Sequence, residues 1–342
     1  MARILTAGAE EGKGRAFQDQ FSVNMAGIAV YDLADNTTVG PRSGDYYYYI
    51  NGNGAYMQYP IPASSTELYF GFGAFIPPWA SGQTNLSLYF TGIDAGIRFD
   101  CNSGLIYWVR GSTQVTSTAT LPLNRWVYIE CYIKPVNSGT GVVTIKINGV
   151  QVLTTTGQNI TNAFSVFGNI RFNCIQNNSN VSAVYYDDIV VNDTSGTTNL
   201  TWPGQVRLFP LRIKGPGDHT DLTRGGADLG YNNSQVREVA GANSWVEGGT
   251  TDYYDLYAVD APDLPAGVTI ANIIVDVRAR AQSGGKSIKP IIKSNATASD
   301  GTAVSLGSVW QSAQAAWALD PQDSAAWTEA DLATLQIGAK IA

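Results

Sequence analysis

Trp126 to Lys134 reads WVYIECYIK, and the reading of this stretch decides the fold class. Val127, Ile129, Cys131 and Ile133 fall on one side of it, and Trp126, Tyr128, Glu130, Tyr132 and Lys134 on the other. A period of two with one wholly apolar side is the pattern of a strand whose sheet is packed on one face. Downstream, Val142–Asn148 and Val150–Thr154 meet at Asn148-Gly149, a pair that predicts a tight hairpin between alternating apolar runs. Further strands fit Phe164–Phe172 and Val184–Val191. Upstream, Leu68–Ile76 alternates aromatics with Gly and Ala, and Leu86–Thr91, Gly96–Asp100 and Leu105–Arg110 follow with turn residues between them. Roughly ten short strands without a helical period imply a double-sheet sandwich or jelly roll.

The rest of the chain is consistent with that texture. Its 342 residues are 44% hydrophobic and only 14% charged, with 36 Gly and 18 Tyr, a composition of strands and tight turns. The net charge of −7 argues against nucleic acid as a partner, since a basic face is needed to displace counterions from phosphates. The chain opens Met1-Ala2-Arg3-Ile4-Leu5 and then turns polar, so no secretory signal is expected. No run reaches the ~20 apolar residues of a membrane span, and membrane insertion is not expected. Cys101, Cys131 and Cys174 are an odd set with wide spacing, each in an apolar stretch, and read as buried free thiols.

Residues 1–16 show no periodicity and read as an N-terminal arm, a candidate anchor, with ordered structure expected from about Phe17. The first domain then covers 17–196. Asp193 to Thr198 is a polar, small-residue stretch that marks its end. The second domain, 197–342, offers strands at Val206–Lys214, Gln235–Val239, Tyr253–Val259, Ile270–Ala281, Ser287–Ser294 and Leu335–Ile341. Thr328 with Asp331 resembles a capping box and predicts a short helix near the C-terminus. The expected fold class is all-β: two β-sandwich domains, the second smaller and carrying that helix.

The stretch from Leu105 to Val191 resembles the concanavalin A-like, laminin-G-type jelly rolls. The resemblance lies in the order of GLIYWVRG, LPLNRWVYIECYIKP, the Asn-Gly hairpin VVTIKINGVQVLTTTG, and a last strand with Asp187-Asp188. The second domain resembles a module of bacteriophage tail and head-appendage proteins. Its resembling pieces are Tyr231–Glu238, Thr251–Tyr257, the Ile270–Ala281 strand, Asp320-Pro321, and Ala326–Leu332 with Leu335–Gly338. Together the two resemblances imply a virion component made in the host cytoplasm: a tail-fibre, tail-tip or head-decoration protein that contributes to host-surface adhesion. They imply other virion proteins as partners, and a homo-oligomer such as a trimer. The alternative is a lectin-like protein that recognises host glycans; a third is a polysaccharide depolymerase.

Glycoside cleavage needs two carboxylates on one side of a cleft. Beyond Glu130, the same side of its strand carries Tyr132 and Lys134. Asp187 and Asp188 are neighbours, so a regular strand would point them to opposite faces. His219 is the single imidazole and sits in a turn-rich segment. The chain is therefore expected not to be an enzyme. No cofactor is expected apart from calcium as a candidate ion, for which Asp94, Asp100 and Asp187 are the candidate ligands. For sugar contact the candidates are Trp79, which follows Pro77-Pro78, and Tyr47 and Tyr49 of the four-tyrosine run Tyr46–Tyr49.

Overall fold

The computed structural model describes residues 3–9, 22–24, 28–31, 39–51, 55–78, 84–136, 139–161, 166–174, 183–195, 199–226, 244–283 and 285–342. These residues form two compact units, one running up to Phe209 and the other from Pro210 to Ala342. Both are almost wholly strand, and among the described residues no helix is long and apolar enough to cross a membrane.

The first unit contains β1 (Arg3–Ala7), β2 (Ser22–Asn24), β3 (Ile28–Tyr31), β4 (Tyr47–Ile50), β5 (Ala55–Pro60), β6 (Leu68–Phe75), β7 (Thr84–Phe90) and β8 (Ala95–Asp100). It continues with β9 (Ile106–Arg110), β10 (Thr113–Thr116), β11 (Trp126–Lys134), β12 (Gly141–Ile147), β13 (Val150–Gln158), β14 (Asn169–Cys174) and β15 (Val184–Asp193). One sheet runs β13-β12-β11-β6-β15-β4-β3, with β1 also on β15; the other runs β10-β9-β8-β7-β14-β5-β2. They stack as a jelly-roll-type sandwich. In β11 Val127, Ile129, Cys131 and Ile133 are buried between the sheets as the pattern dictates, but the other face is not open as expected: Tyr128 and Glu130 are buried as well, Glu130 under the 199–209 segment. Phe70 and Phe72 of β6 meet Phe90, Phe172 and Tyr186 there, with ring centroids 5.5–5.8 Å apart. Each such ring, removed from water, contributes about 1.5–3 kcal/mol. Cys101 and Cys131 are buried and not in disulfides, and the Cys174 side chain lies outside what is described.

The β12–β13 hairpin turns at Asn148 (φ 49°) and Gly149 (φ 83°), the left-handed pair that a two-residue turn of this hand requires. Asn148 also ties the turn to β11, where its Oδ1 accepts the Tyr128 N–H at 2.9 Å.

Two segments differ from the sequence expectation. Arg3–Ala7, read as part of an arm without regular structure, is a strand that pairs antiparallel with Ile189–Asn192. Its five residues are too few for a period to show against chance, and the ladder with β15 supplies the order. Residues 199–209, placed by sequence with the second domain, belong to the first unit. Here the backbone donors and acceptors go to side chains rather than to a ladder. Gly204 N–H reaches Glu130 at 3.0 Å, Leu208 N–H reaches Asp188 at 2.7 Å, and the Val206 carbonyl accepts from Arg42 at 2.7 Å. The strand expected at Val206–Lys214 therefore begins only at Arg212.

In the second unit β16 (Arg212–Thr220), β19 (Tyr254–Asp260), β25 (Gln336–Ile341), β21 (Ser287–Ser294) and β22 (Thr297–Asp300) form one sheet in that order, with β23 (Val304–Ser305) beside β21. β17 (Thr223–Gly226) pairs with β18 (Ser244–Glu247), and β20 (Ile273–Ala279) with β24 (Gln311–Trp317). Ile273 and Val275 pack on Val259, Ile292, Trp327, Leu332 and Leu335. The short helix α1 (Glu329–Leu332) starts where expected, with the Asp331 carboxylate accepting both the Thr328 N–H and its hydroxyl at 2.7 Å. The strand expected at Gln235–Val239 and the Tyr231–Glu238 piece lie outside the described residues.

Candidate functional site

Trp79 lies outside the described residues. Tyr47 is fully buried under Val39, Phe75 and Tyr185, with the Trp126 ring at 6.2 Å, and leaves no face for a ligand. That corrects the expectation for Tyr47: in a run of four tyrosines, which pair is covered depends on what packs over the sheet. Tyr49 is half-buried, stacked on Tyr31 at 4.6 Å, and its hydroxyl accepts from Asn51 at 2.6 Å.

The three acids chosen for calcium do not meet. Asp94 sits in the β7–β8 turn and accepts the Tyr89 hydroxyl. Asp100 stands at the far end of β8, about 20 Å away along the strand, and Asp187 is buried on β15 in the other sheet. Among the described residues no three His, Cys, Asp or Glu gather into a set that could hold a metal. Asp100 is a turn-former instead. Its carboxylate accepts Asn102 N–H at 2.8 Å, Ser103 N–H at 3.2 Å and the Ser103 hydroxyl at 2.6 Å. Burial raises its affinity for a proton, but the three donors together hold its carboxyl below the ordinary 3.8. A depressed carboxyl stabilises the fold above its unfolded value and loses that contribution as the pH falls through the folded one. Asp100→Ala is expected to cost about 1 kcal/mol at pH 7 and progressively less below pH ~4, read by urea denaturation at a series of pH values.

Asp187 and Asp188 do not diverge. The ladder with β6 slips between Asp187 and Val190, and Asp188 takes a left-handed φ of 51°. This bulge turns both carboxylates onto the same two-residue segment. Asp187 accepts the N–H of Arg42 at 2.9 Å and of Ser43 at 3.3 Å, while Asp188 takes the Arg42 guanidinium and the Ser43 hydroxyl. The Arg42 guanidinium lies over the Tyr128 ring at 4.6 Å, in space left by Gly73, where a Cβ would stand 2.7 Å from the Arg42 Cδ. Burial pushes the Asp188 carboxyl up, against the pull of Arg42. The cluster is closed over: Asp187 and Asp188 are fully buried.

The outer face of the second sheet is different. On β5, β14, β7, β8 and β9 the apolar residues point inward, and Tyr56, Gln58, Arg171, Asn173, Tyr89, Arg98, Tyr107 and Val109 point outward. Strand register sets them in two rows. Gln58, Arg171, Tyr89, Gly96 and Val109 are consecutive cross-strand partners. The adjacent row carries Tyr56 beside Asn173 and Arg98 beside Tyr107. Arg171 Nε donates to Gln58 at 2.6 Å, and its guanidinium lies 4.5 Å over the Tyr56 ring. Asn173 is 3% exposed and its amide oxygen has no donor. A buried acceptor left so costs about 1–3 kcal/mol. Burial and the Asp94 hydrogen bond push the Tyr89 hydroxyl up to about 12, with Arg171 pulling the other way. At Gly96 the floor is bare, since a Cβ there would meet the Leu88 carbonyl oxygen at 2.3 Å. The face thus offers half-exposed aromatic rings, the Gln58 amide and guanidinium groups over a flat floor, a combination suited to stacking on and hydrogen-bonding to sugar rings.

None of these eight residues was singled out from sequence. The signal was present in Ile97-Arg98-Phe99 and Ile170-Arg171-Phe172, where a cation stands between two core residues and so must face out.

The first unit thus belongs to the broad class of all-β sandwiches with a polar, aromatic outer sheet face. No family model matches the chain, and comparison with curated proteins gives no match. Similar solved structures include an endo-β-1,4-glucuronan lyase from the fungus Trichoderma reesei, 15% identical with a TM-score of 0.39, covering 49% of this chain and 87% of the lyase. An alginate lyase is 14% identical with a TM-score of 0.30, over 43% of this chain and 80% of its own. The binding domain of a Paraclostridial mosquitocidal protein is 14% identical with a TM-score of 0.37, over 56% of this chain and 49% of that domain. Likeness at this level is one of fold. The sequence expectation that the chain is not an enzyme does not stand, since a glucuronan lyase and an alginate lyase are among the structures of similar fold.

Proposed function

We propose that the first unit binds glycans across the outer face of the β10-β9-β8-β7-β14-β5-β2 sheet. The observation that carries this reading is the double row on that face: Tyr56, Tyr89 and Tyr107 half-exposed beside Arg98, Arg171 and Gln58. Pyranose rings present apolar C–H faces and hydroxyl edges. Tyrosine faces take the first, and amides and guanidinium groups the second. Tyr107→Ala is expected to weaken binding of glycans selected on an array about tenfold, which is ~1.4 kcal/mol. Unchanged binding by this variant, or an array with no binder, refutes the reading. Tyr89 donates its hydroxyl to the Asp94 carboxylate beside Arg171, which places ionisable groups along the same face. The glycans that bind are therefore to be assayed for new chain ends, the depolymerase outcome.

The setting proposed is a bacteriophage virion, with the glycan face serving adhesion to the host surface and the chain assembled as a homo-oligomer. Support for it lies in the two sequence resemblances alone. Immunogold labelling of particles tests it, and particles that carry no label refute it.

A further inference from the structure

Resting on the glycan-binding reading above, we infer that the glycan is acidic, a chain bearing carboxylates along its length, and that Arg98 and Arg171 receive them. The protein as a whole carries a charge of −7, so a polyanion is repelled unless the surface it meets is locally positive. This face is. Arg98 makes no hydrogen bond or ion pair among the described residues, and its cross-strand neighbours are Ser87 and Tyr107. Arg171 spends one donor on the neutral Gln58 amide and sets its guanidinium over the Tyr56 ring, and among the described residues its charge also meets no carboxylate. Among the described residues the nearby acids are Asp94, whose single charge is shared with the Tyr89 hydroxyl at the edge of this face, and Asp100, taken up by the Asn102–Ser103 turn, so the two guanidinium groups outnumber the one carboxylate left beside them.

Arg98 and Arg171 stand two strands and two residues apart, about 12 Å between backbones from the spacing of sheets. Between them lie Tyr89 and the bare floor at Gly96. One extended chain can cross that floor and present an acid group to each guanidinium, whose planar fork suits carboxylate geometry. Neutral hydroxyls alone would leave two half-buried cations uncompensated beneath the bound chain.

The test uses the full chain and a panel of linear oligouronates built on glucuronate, galacturonate or mannuronate, each paired with its carboxyl-reduced neutral form. Titration is expected to show the acidic member of a bound pair preferred by at least about tenfold, with the preference shrinking as salt is raised. The double variant Arg98→Gln/Arg171→Gln is expected to lose that preference. Arg125→Gln, which removes the same charge from an exposed site outside this face, is expected to keep it. Circular dichroism and melting checks that each variant is folded. Equal binding of both members of a pair overturns the acidic assignment and leaves the glycan face standing. A preference that survives in the folded double variant overturns the assignment to these two residues. Binding to neither member across the panel, with an array that also finds no binder, overturns both readings together.

Discussion

Replacing Arg42 with alanine is expected to lower the stability of the first unit by about 3–5 kcal/mol at pH 7, the cost of leaving a buried charge without its partner. The side chains of Arg42 and Asp188 are 8% and 0% exposed, so water cannot take over for the lost guanidinium. The same change removes the hydrogen bond to the Val206 carbonyl and uncovers the Tyr128 ring. Chemical denaturation of the purified chain measures the effect; a loss below about 1 kcal/mol would mean the pair is not closed off from water.

The pH dependence distinguishes a lost charge pair from lost packing. Burial already raises the Asp188 carboxyl above its ordinary value, and removing Arg42 takes away the main influence lowering it. A group whose folded value is raised stabilises the fold below its unfolded value and loses that contribution as the pH rises through the folded one. The deficit of Arg42→Ala should therefore shrink on acidification, because protonation discharges the stranded carboxylate. Adding Asp188→Asn to Arg42→Ala should recover part of the loss at pH 7. Neither would follow if the arginine served only as filler.

Gly338→Ala is expected to unfold the second unit. Gly338 lies in mid-strand on β25, paired with Leu256 on one side and Ile291 on the other. A Cβ at that position would stand 1.8 Å from the Asp255 carbonyl oxygen and 2.9 Å from its carbon, both backbone atoms of a paired strand that cannot turn aside. Relief would require parting β25 from β19 in the middle of the sheet that supports Val259, Ile292, Trp327 and Leu335. The loss should exceed about 4 kcal/mol, seen in calorimetry as the disappearance of one transition. Gly215→Ala in β16, where nothing lies within 4 Å, is the comparison and should change stability by well under 1 kcal/mol. A variant at 338 that melts like the parent would show that these strands do not approach so closely.

Much of the fold could be read in the chain, and little of the site. Strand β11 was legible because nine residues alternate without exception, and the hairpin at Asn148-Gly149 because few other pairs accept two left-handed backbones in succession. Thr328 and Asp331 announced their helix because a cap is a contact between residues three apart. The candidate site was not legible, since Arg98 and Arg171 become neighbours only when β7 is laid between β8 and β14. The burial of Tyr47 was hidden for the same reason: Val39, Trp126 and Tyr185 come to it from three other parts of the chain.

By itself the sequence determined the strand periods, the turn at Asn148, the helix cap and the all-β class, because each depends on residues a few positions apart whose geometry the backbone enforces locally. Only the tertiary structure decided that the bulge at Asp187–Val190 aims two adjacent carboxylates at one arginine 146 residues from Asp188, and that two distant cations share an open sheet face. Strand order and register are set by burying one apolar side of every strand at once, and no single segment carries that information.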